Sequence, residues 1–225
     1  DEKNWKAVVS ECEAYKDILS KNKEFENFYN VVKQNDLPIE YTNIGPPVNT
    51  TTGNEYSPVI SANGNHLYFC GQRRTDNLGG EDIFMSERGS SNWEEPTLIK
   101  QLSTSSGNEA PEAISTDETK MVLYYNGDIF FASKSSQGWI PPRPMPDINT
   151  SGWDGDAVFT ADGNAILFSS EGWEKLGIQH YPLQRRDKFD LYISFKGKNG
   201  WSKPQNLGTT INTPRCDRYP YLHPD

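Results

Sequence analysis

Residues 82–96 read DIFMSERGSSNWEEP, and the same frame returns at 128–142 (DIFFASKSSQGWIPP) and at 190–204 (DLYISFKGKNGWSKP). In each copy an Asp opens an apolar run, a Trp follows eleven residues later, and a Pro follows the Trp after three more. A self-similar period of about 45–63 residues built from short apolar runs is typical of β-propellers and solenoids. The repeat therefore predicts the fold and leaves the function to loops and variable positions.

Further landmarks precede the Asp of each copy. A turn element at 48–50, 102–104 or 148–150 is followed by an acid and then by an apolar pair that ends in a hydroxyl residue. The turns Asn63-Gly64 and Asp162-Gly163 are strong hairpin signals, because such turns need positive φ. Together with a weak strand after the Trp-x-x-Pro turn, this predicts four strands per unit, as in a propeller blade. The fold class expected is mainly β, a β-propeller with three full blades and partial blades.

Residues 1–37 have a different pattern. Apolar residues from Trp5 to Leu19, and again from Phe25 to Val32, recur at i, i+3, i+4 and i+7, which predicts two short amphipathic helices. Pro38 is expected to end the second helix region. The predicted organisation is therefore a helical N-terminal segment, 1–37, followed by a propeller, 38–225.

Two fragments of the repeat flank the three complete copies. Residues 44–50 match the element at 206–213, and Asp217 and Pro220 align with Glu55 and Pro58. A propeller ring needs at least about four blades. We therefore expect the propeller to be incomplete at the C-terminus of this chain, with further blades downstream, and completion by a second chain is the alternative.

Composition restricts the possible partners. The net charge of -9 disfavours binding to a phosphate backbone, so no nucleic acid is expected. No apolar run approaches the ~18–20 residues that a transmembrane helix needs. The three cysteines are too few and too scattered for a disulfide framework, and Cys12 and Cys70 are expected to be buried thiols.

One family resembles this pattern. The run Asn54-Glu55-x-x-Pro58-x-Ile60-Ser61, with Gly79-Gly80-x-Asp82-Ile83-Phe84 and Trp93-x-x-Pro96 after it, is similar to the WD40-like β-propeller repeat of the TolB type, in the form found in Bacteroidetes envelope proteins. The second copy departs from it, because Asp117-Glu118-Thr119 replaces the Asp-Gly turn. The resemblance implies a periplasmic or outer-membrane-associated protein. Some members carry a downstream OmpA-like domain, so peptidoglycan association would come through a domain not present here.

The loops between second and third strands differ most in length, and length variation on one face of a repeat protein usually marks the binding face. Arginines beside aromatic residues are typical of interfaces and also suit a carboxylate or sugar ligand. The predicted partner-binding residues are Arg73, Arg74, Asp76, Trp173, His180, Tyr181, Arg185 and Arg186. The alternative is that Arg73 and Arg74 are solvated loop residues that pair with nearby acids.

Residues that recur in every copy are expected to be structural. These are the acids Glu55, Glu109, Asp154 and Asp217, the strand-opening Asp82, Asp128 and Asp190, and the packing residues Trp93, Trp139 and Trp201. A central metal or a catalytic carboxylate set is the alternative for the first group. No nucleophile elbow, zinc motif or phosphate loop occurs in the sequence.

The sequence thus predicts a non-catalytic scaffold, without catalytic residues, metal or cofactor, that binds a protein or glycan partner in a bacterial cell envelope. Two alternatives stay open. One is a propeller-type hydrolase that acts on glycans with acids from several blades. The other is a purely structural stalk.

Overall fold

The computed structural model describes residues 5–33, 41–172, 189–198, 200–213 and 215–222. The chain divides into two compact units, Asp1–Asn43 and Ile44–Asp225. The predicted domain boundary between residues 37 and 38 lies outside the described residues. Within these ranges, no helix has the length and apolar character needed to cross a bilayer.

The N-terminal unit contains two helices, α1 (Trp5–Tyr15) and α2 (Lys23–Val32). Its small core is formed by apolar side chains at helical spacing: Cys12, Tyr29 and Val32, with Val8, Val9 and Phe25 packed against them. The Tyr29 hydroxyl of α2 donates a hydrogen bond to the Glu13 carboxylate of α1. The two predicted helices are therefore confirmed.

In the described part of the second unit, three antiparallel sheets follow one another along the chain. The first contains β1 (Asn54–Ile60), β2 (His66–Gln72), β3 (Glu81–Glu87) and β4 (Thr97–Leu98). The second contains β5 (Glu109–Ile114), β6 (Lys120–Tyr125) and β7 (Asp128–Ser135), with the short strands β8 (Gly138–Trp139) and β9 (Arg143–Pro144) both paired to β7. The third contains β10 (Asp154–Phe159), β11 (Ala165–Ser170) and β12 (Asp190–Gly197), with β13 (Gly200–Trp201) and β14 (Gln205–Asn206) both paired to β12. Each sheet is the up-and-down meander of a propeller blade, so the predicted mainly β propeller class is confirmed.

The turn from the first to the second strand has the same construction in all three sheets. A hydroxyl donates to the Asn or Asp two residues later and accepts an N–H five residues later; the hydroxyl residues are Ser61, Ser115 and Thr160. The turn needs one left-handed residue, and Gly64 and Gly163 supply it with φ values of 73° and 66°. In the second sheet Glu118 takes that position at φ 55°, so the departing sequence still makes the same turn.

The core lies between neighbouring sheets. Between the first and second sheets, Tyr68 and Ile83 meet Met121 and Leu123, and Leu102 of the 3-10 turn Lys100–Leu102 packs among them. Between the second and third sheets, a separate cluster contains Val122, Ile129 and Met145 on one side and Ala157, Ile166, Phe168 and Tyr192 on the other. Side chains alternate along β6, so successive residues reach opposite neighbours, and the second sheet contributes to both cores.

A candidate binding cleft on the inner strands

A cleft of about 650 Å³ opens along the first strand of each sheet. We call β1, β5 and β10 the inner strands; β5 contacts both of the others. The segment 218–220, which aligns with the start of a further copy, completes the lining. The cleft residues used below are Tyr56, Glu81, Glu112, Tyr124, Trp153, Asp156, Arg218 and Tyr219.

Each inner strand contains a β-bulge at the cleft. The register against the second strand shifts between Tyr56 and Val59 in β1, with corresponding shifts in β5 and β10. At the bulge, Ser57, Asp156 and the aligned Tyr219 have φ values of 49°, 55° and 57°. Bulges redirect side chains, and left-handed non-glycine residues are uncommon outside functional or strongly held positions.

A partly buried ion pair lies in the cleft. The Arg218 guanidinium donates to both Asp156 carboxylate oxygens, from Nε at 2.8 Å and from Nη2 at 3.0 Å. Its central carbon lies 4.2 Å from the ring centre of Trp153, 4.9 Å from that of Phe189 and 4.8 Å from that of Tyr219. The Asp156 side chain is only 7% exposed, so solvent screens this pair weakly. The cleft therefore holds a guanidinium by bidentate hydrogen bonds and by aromatic rings.

Glu112 links the second sheet to the third. Its Oε1 accepts the Asp156 N–H at 2.6 Å and its Oε2 accepts the Ala157 N–H at 3.2 Å. Burial raises the pKa of Glu112 from its ordinary 4.5 to about 8, although the two N–H donors and Arg218 act in the opposite direction. A carboxyl group in the cleft thus titrates near neutral pH.

Aromatic rings form much of the remaining wall. Tyr124 lies 5.9 Å from Trp153 between ring centres, and Trp153 meets Phe189 edge-on at 5.2 Å. Burial raises the pKa of Tyr56 well above its ordinary value, with added contributions from Cys70 and Glu81, so its hydroxyl stays protonated. This wall can bind apolar, cationic or sugar groups, all of which pack on aromatic faces.

The structure describes three of the predicted partner-binding residues, of which Arg74 is buried and Arg73 and Asp76 are exposed. Arg74 lies inside the first sheet, where Nη1 donates to the Val48 carbonyl at 2.7 Å and to Glu55 at 3.0 Å. Its side chain is 5% exposed and packs on the rings of Phe69 and Phe84, so it is not presented to a partner. Arg73 and Asp76 are exposed on this loop. The other predicted partner-binding residues, Trp173, His180, Tyr181, Arg185 and Arg186, lie outside the described residues.

The repeated acids each accept a hydrogen bond from the threonine of the preceding turn. The pairs are Thr50–Glu55, Thr104–Glu109, Thr150–Asp154 and Thr213–Asp217. A Glu is used where the acid stands five residues after the Thr and an Asp where it stands four residues after, so side-chain length follows turn length. Burial raises the pKa of Glu109 and of Asp154. Across the described residues, no group of three or more His, Cys, Asp or Glu side chains is arranged to hold a metal ion.

The strand-opening aspartates have different partners. Asp82 accepts from the Asn77 amide and from the N–H groups of Leu78 and Gly79, at 2.6–3.0 Å, which holds the loop before β3. Asp190 accepts from Asn206 of β14 at 2.8 Å. Asp128 directly follows the two-residue turn at 126–127, so there is no long loop to hold.

The repeated tryptophans pack on the sheets. Trp139 is buried in the core between the first and second sheets, and Trp201 packs against the core between the second and third. Trp93 packs against a third buried cluster, which contains Val48, Leu67, Phe69 and Phe84. These contacts agree with a packing role.

The cleft residues were missed by sequence reasoning because it searched for positions that recur. Five of them lie one to three residues after the repeated acids, where the copies read Tyr-Ser-Pro (56–58), Ala-Pro-Glu (110–112), Gly-Asp-Ala (155–157) and Arg-Tyr-Pro (218–220). The available signal was this variation at equivalent positions of a repeated strand.

No protein-family model matches the sequence, and no curated protein matches it either. Among solved structures, the chain is similar to TolB from Acinetobacter baumannii, with 12% identity and a TM-score of 0.42 over 67% of this chain and 31% of that one. It is also similar to a putative TolB from Agrobacterium tumefaciens, with 17% identity and a TM-score of 0.46 over 71% of this chain and 50% of that one. The matches thus span half or less of the length of these structures.

Proposed function

We propose that this chain is a non-catalytic β-propeller scaffold that binds a protein or glycan partner in a bacterial cell envelope. The observation that carries the proposal is the cleft of about 650 Å³, in which aromatic rings and a few placed charges surround one space. Sites of this size and composition are typical of ligand binding. The envelope location, periplasmic or at the outer membrane, is supported by the resemblance of residues 54–96 to the TolB-type repeat.

Binding is favoured over catalysis by the contacts of the two central carboxylates. Both oxygens of Asp156 accept from Arg218, and both oxygens of Glu112 accept backbone N–H groups. A carboxylate engaged in this way supports the architecture of the cleft and is poorly placed to attack a substrate or to move a proton. The groups that remain for a ligand are mainly aromatic.

The loop residues form a second contact region in this proposal. Arg73 and Asp76 are exposed beside the loop that Asp82 holds. They would act with Trp173, His180, Tyr181, Arg185 and Arg186, as predicted from the sequence. Substitutions in the cleft and in this loop therefore test two separate surfaces.

The test is retention of envelope partners on the immobilised chain. Tyr219 lines the cleft and is 73% exposed, whereas Tyr221 is 78% exposed and lies outside the lining, so Tyr219→Ala and Tyr221→Ala form a matched pair. We expect Tyr219→Ala and Tyr56→Ala to lose the partner and Tyr221→Ala to keep it. A partner that is lost only with Arg73→Ala would move the site to the loops, and one retained by every variant would contradict both surfaces.

One observation favours a second candidate, a glycan hydrolase. A carboxyl group with a pKa raised to about 8 is suited to act as a general acid, and Asp156 lies beside it. Turnover of a chromogenic glycoside by the wild-type chain, abolished in Glu112→Gln, would establish the hydrolase. We expect no turnover with either protein.

A further inference from the structure

The lining of the cleft contains more acidic than basic groups. Its described lining contains three carboxylates, Glu81, Glu112 and Asp156, and one cation, Arg218. Asp156 and Arg218 neutralise each other through two hydrogen bonds. Glu81 and Glu112 are the other two carboxyl groups of the lining. Glu81 accepts from the Gln72 amide at 3.3 Å and Glu112 accepts two backbone N–H groups, and since a carboxylate has about four acceptor sites, each can still accept from a ligand. The whole chain has a net charge of -9. The field in and around the cleft therefore attracts positive charge.

The cleft already shows how it binds a cation. Arg218 is held by a carboxylate in its plane while the rings of Trp153 and Tyr219 lie against the guanidinium, with ring centres 4.2 and 4.8 Å from its central carbon. Carboxylate and aromatic faces together are the usual protein environment for a desolvated cation. The same two kinds of group recur on the rest of the wall, as Glu81 and Glu112 beside Tyr56 and Tyr124.

We propose that the cleft receives a basic side chain, lysine or arginine, from an extended segment of a protein partner. This inference rests on the proposed function and narrows it to a cationic peptide. A cleft of about 650 Å³ has room for the basic side chain and parts of its neighbours. The charge complementarity also favours a protein segment over a neutral glycan, because a cation offsets the negative charge of Glu81 and of ionised Glu112 and a neutral sugar does not.

Binding of the basic side chain is expected to be coupled to release of a proton from Glu112. Burial raises the pKa of Glu112, and a cation placed beside it favours the ionised form, so binding of the basic side chain expels a proton from a carboxyl group that is otherwise partly protonated. The affinity for a basic peptide is therefore expected to rise between about pH 6 and about pH 9. A peptide held by aromatic packing alone would show no such dependence.

The experiment is a titration of the chain 1–225 with the peptide acetyl-Gly-Ser-Lys-Ser-Gly-amide, followed by NMR through the indole N–H signals of the six tryptophans. The Trp153 signal is assigned from Trp153→Phe. We expect saturable shifts of the Trp153 signal with the lysine peptide and with its arginine analogue. Peptides with norleucine or glutamate at that position are expected to bind at least about tenfold more weakly, since they lack the charge.

Two protein variants locate the charge effect. Glu81→Gln and Glu112→Gln are each expected to weaken binding of the lysine peptide by about threefold to tenfold, and Glu112→Gln also removes the pH dependence. Glu95→Gln makes the same charge change at an exposed position between β3 and β4, outside the cleft lining, and should leave binding unchanged. Because Glu81 lies at the start of β3, its variant remains informative if Glu112→Gln is unstable.

Three results would overturn the inference: equal binding of the norleucine peptide, no shift of Trp153 with any peptide, or stronger binding of chitotriose at the same signal. If Tyr219→Ala still loses the envelope partner in any of these cases, the cleft remains the binding site and only the cationic ligand is wrong. If Tyr219→Ala keeps that partner, the cleft is not the partner site, and the proposed function fails as well if Arg73→Ala also keeps it.

Discussion

Glu118 combines a strained backbone conformation with side-chain contacts to the neighbouring sheet. It occupies the turn position that glycine takes in the other two sheets, at φ 55°, where a side chain costs about 1–2 kcal/mol. Its carboxylate lies 2.6 Å from His66 Nδ1 and accepts from the Tyr68 hydroxyl at 3.1 Å and from the Asn63 amide at 3.3 Å. His66 and Tyr68 are on β2 and Asn63 is in the turn that precedes it, so the strained residue connects the turn of the second sheet to the first sheet.

The two effects can be measured separately by substitution. We expect Glu118→Ala to lower the free energy of unfolding by about 2–3 kcal/mol, because the contacts are lost and the strain stays. Glu118→Gly should lose about 1 kcal/mol less, since glycine relieves the strain. Urea denaturation gives both values, with the exposed Thr116→Ala as the baseline. Equal losses for the Ala and Gly variants would show that the backbone at this position is not strained.

Glu112 makes stability depend on pH. Because its pKa is raised from 4.5 to about 8, the folded chain binds a proton here that the unfolded chain has released, and the stability from this group falls as pH rises through that window. Gln cannot titrate, so we expect the melting temperature of Glu112→Gln to increase relative to that of wild type as the pH is raised from about 5 to about 9. Glu95→Gln should follow wild type in parallel. Parallel curves for Glu112→Gln would mean that the pKa of Glu112 is ordinary.

At the scale of elements, each segment between sheets is fastened to the third strand of the sheet it leaves. Asn149 accepts the Ile129 N–H at 2.9 Å and donates to the Ile129 carbonyl at 2.8 Å. Asn212 makes the same pair of bonds with Leu191. At the first junction, Ser103 accepts the Ile83 N–H at 3.1 Å. The shorter side chain fastens the segment with an acceptor alone.

This difference predicts a ranking of stability losses. Asn149→Ala leaves a buried N–H without its acceptor and removes a donor from the carbonyl, so we expect a loss of about 2–3 kcal/mol. Asn149→Ser introduces the side chain found at the first junction, which accepts the N–H but donates nothing, so its loss of unfolding free energy should be about half that of Asn149→Ala. Ser103→Ala is expected to cost about 1–2 kcal/mol. Urea denaturation measures all three, and a loss for Asn149→Ser as large as for Asn149→Ala would show that the hydroxyl does not reach the N–H.

The sequence predicted the elements well because their signals are local and recur. The fixed interval from Asp82 to Trp93 marks a third strand and the turn after it, and Asn63-Gly64 marks a hairpin whatever the rest of the chain does. The sequence predicted Arg74 to bind a partner because it lies in a loop whose length differs between the copies. Its burial depends on Val48 and Glu55, which are distant in sequence, and no local pattern reports that contact.

The cleft was harder to predict because it exists only at the scale of the whole molecule. Arg218 meets Asp156 across an interval of 62 residues, and Glu112 meets the Asp156 N–H across 44. Each contact joins different copies of the repeat at positions where the copies differ. Repetition identifies what the copies share, whereas a binding site in a propeller is built from what they do not share.

Stability at this scale follows from cores that lie between sheets rather than within them. Ile83 is buried between the first and second sheets, and Ile166 is buried between the second and third. Both are fully buried, so Ile→Val removes the same methyl group from equivalent environments and should cost about 0.5–1.5 kcal/mol at either site. Ile83 lies on the third strand of its sheet and Ile166 on the second strand of its sheet, and the two residues join different pairs of sheets.

We therefore expect the two variants to loosen different parts of the chain. In amide hydrogen exchange, Ile83→Val should lower protection mainly in β2, β3 and β6, and Ile166→Val mainly in β6, β11 and β12, because each core supports the sheets on either side of it. The second sheet belongs to both cores and should respond to both variants. Uniform loss of protection across all three sheets in either variant would instead mean that the propeller unit opens as one cooperative body, and that its sheets are not coupled neighbour by neighbour.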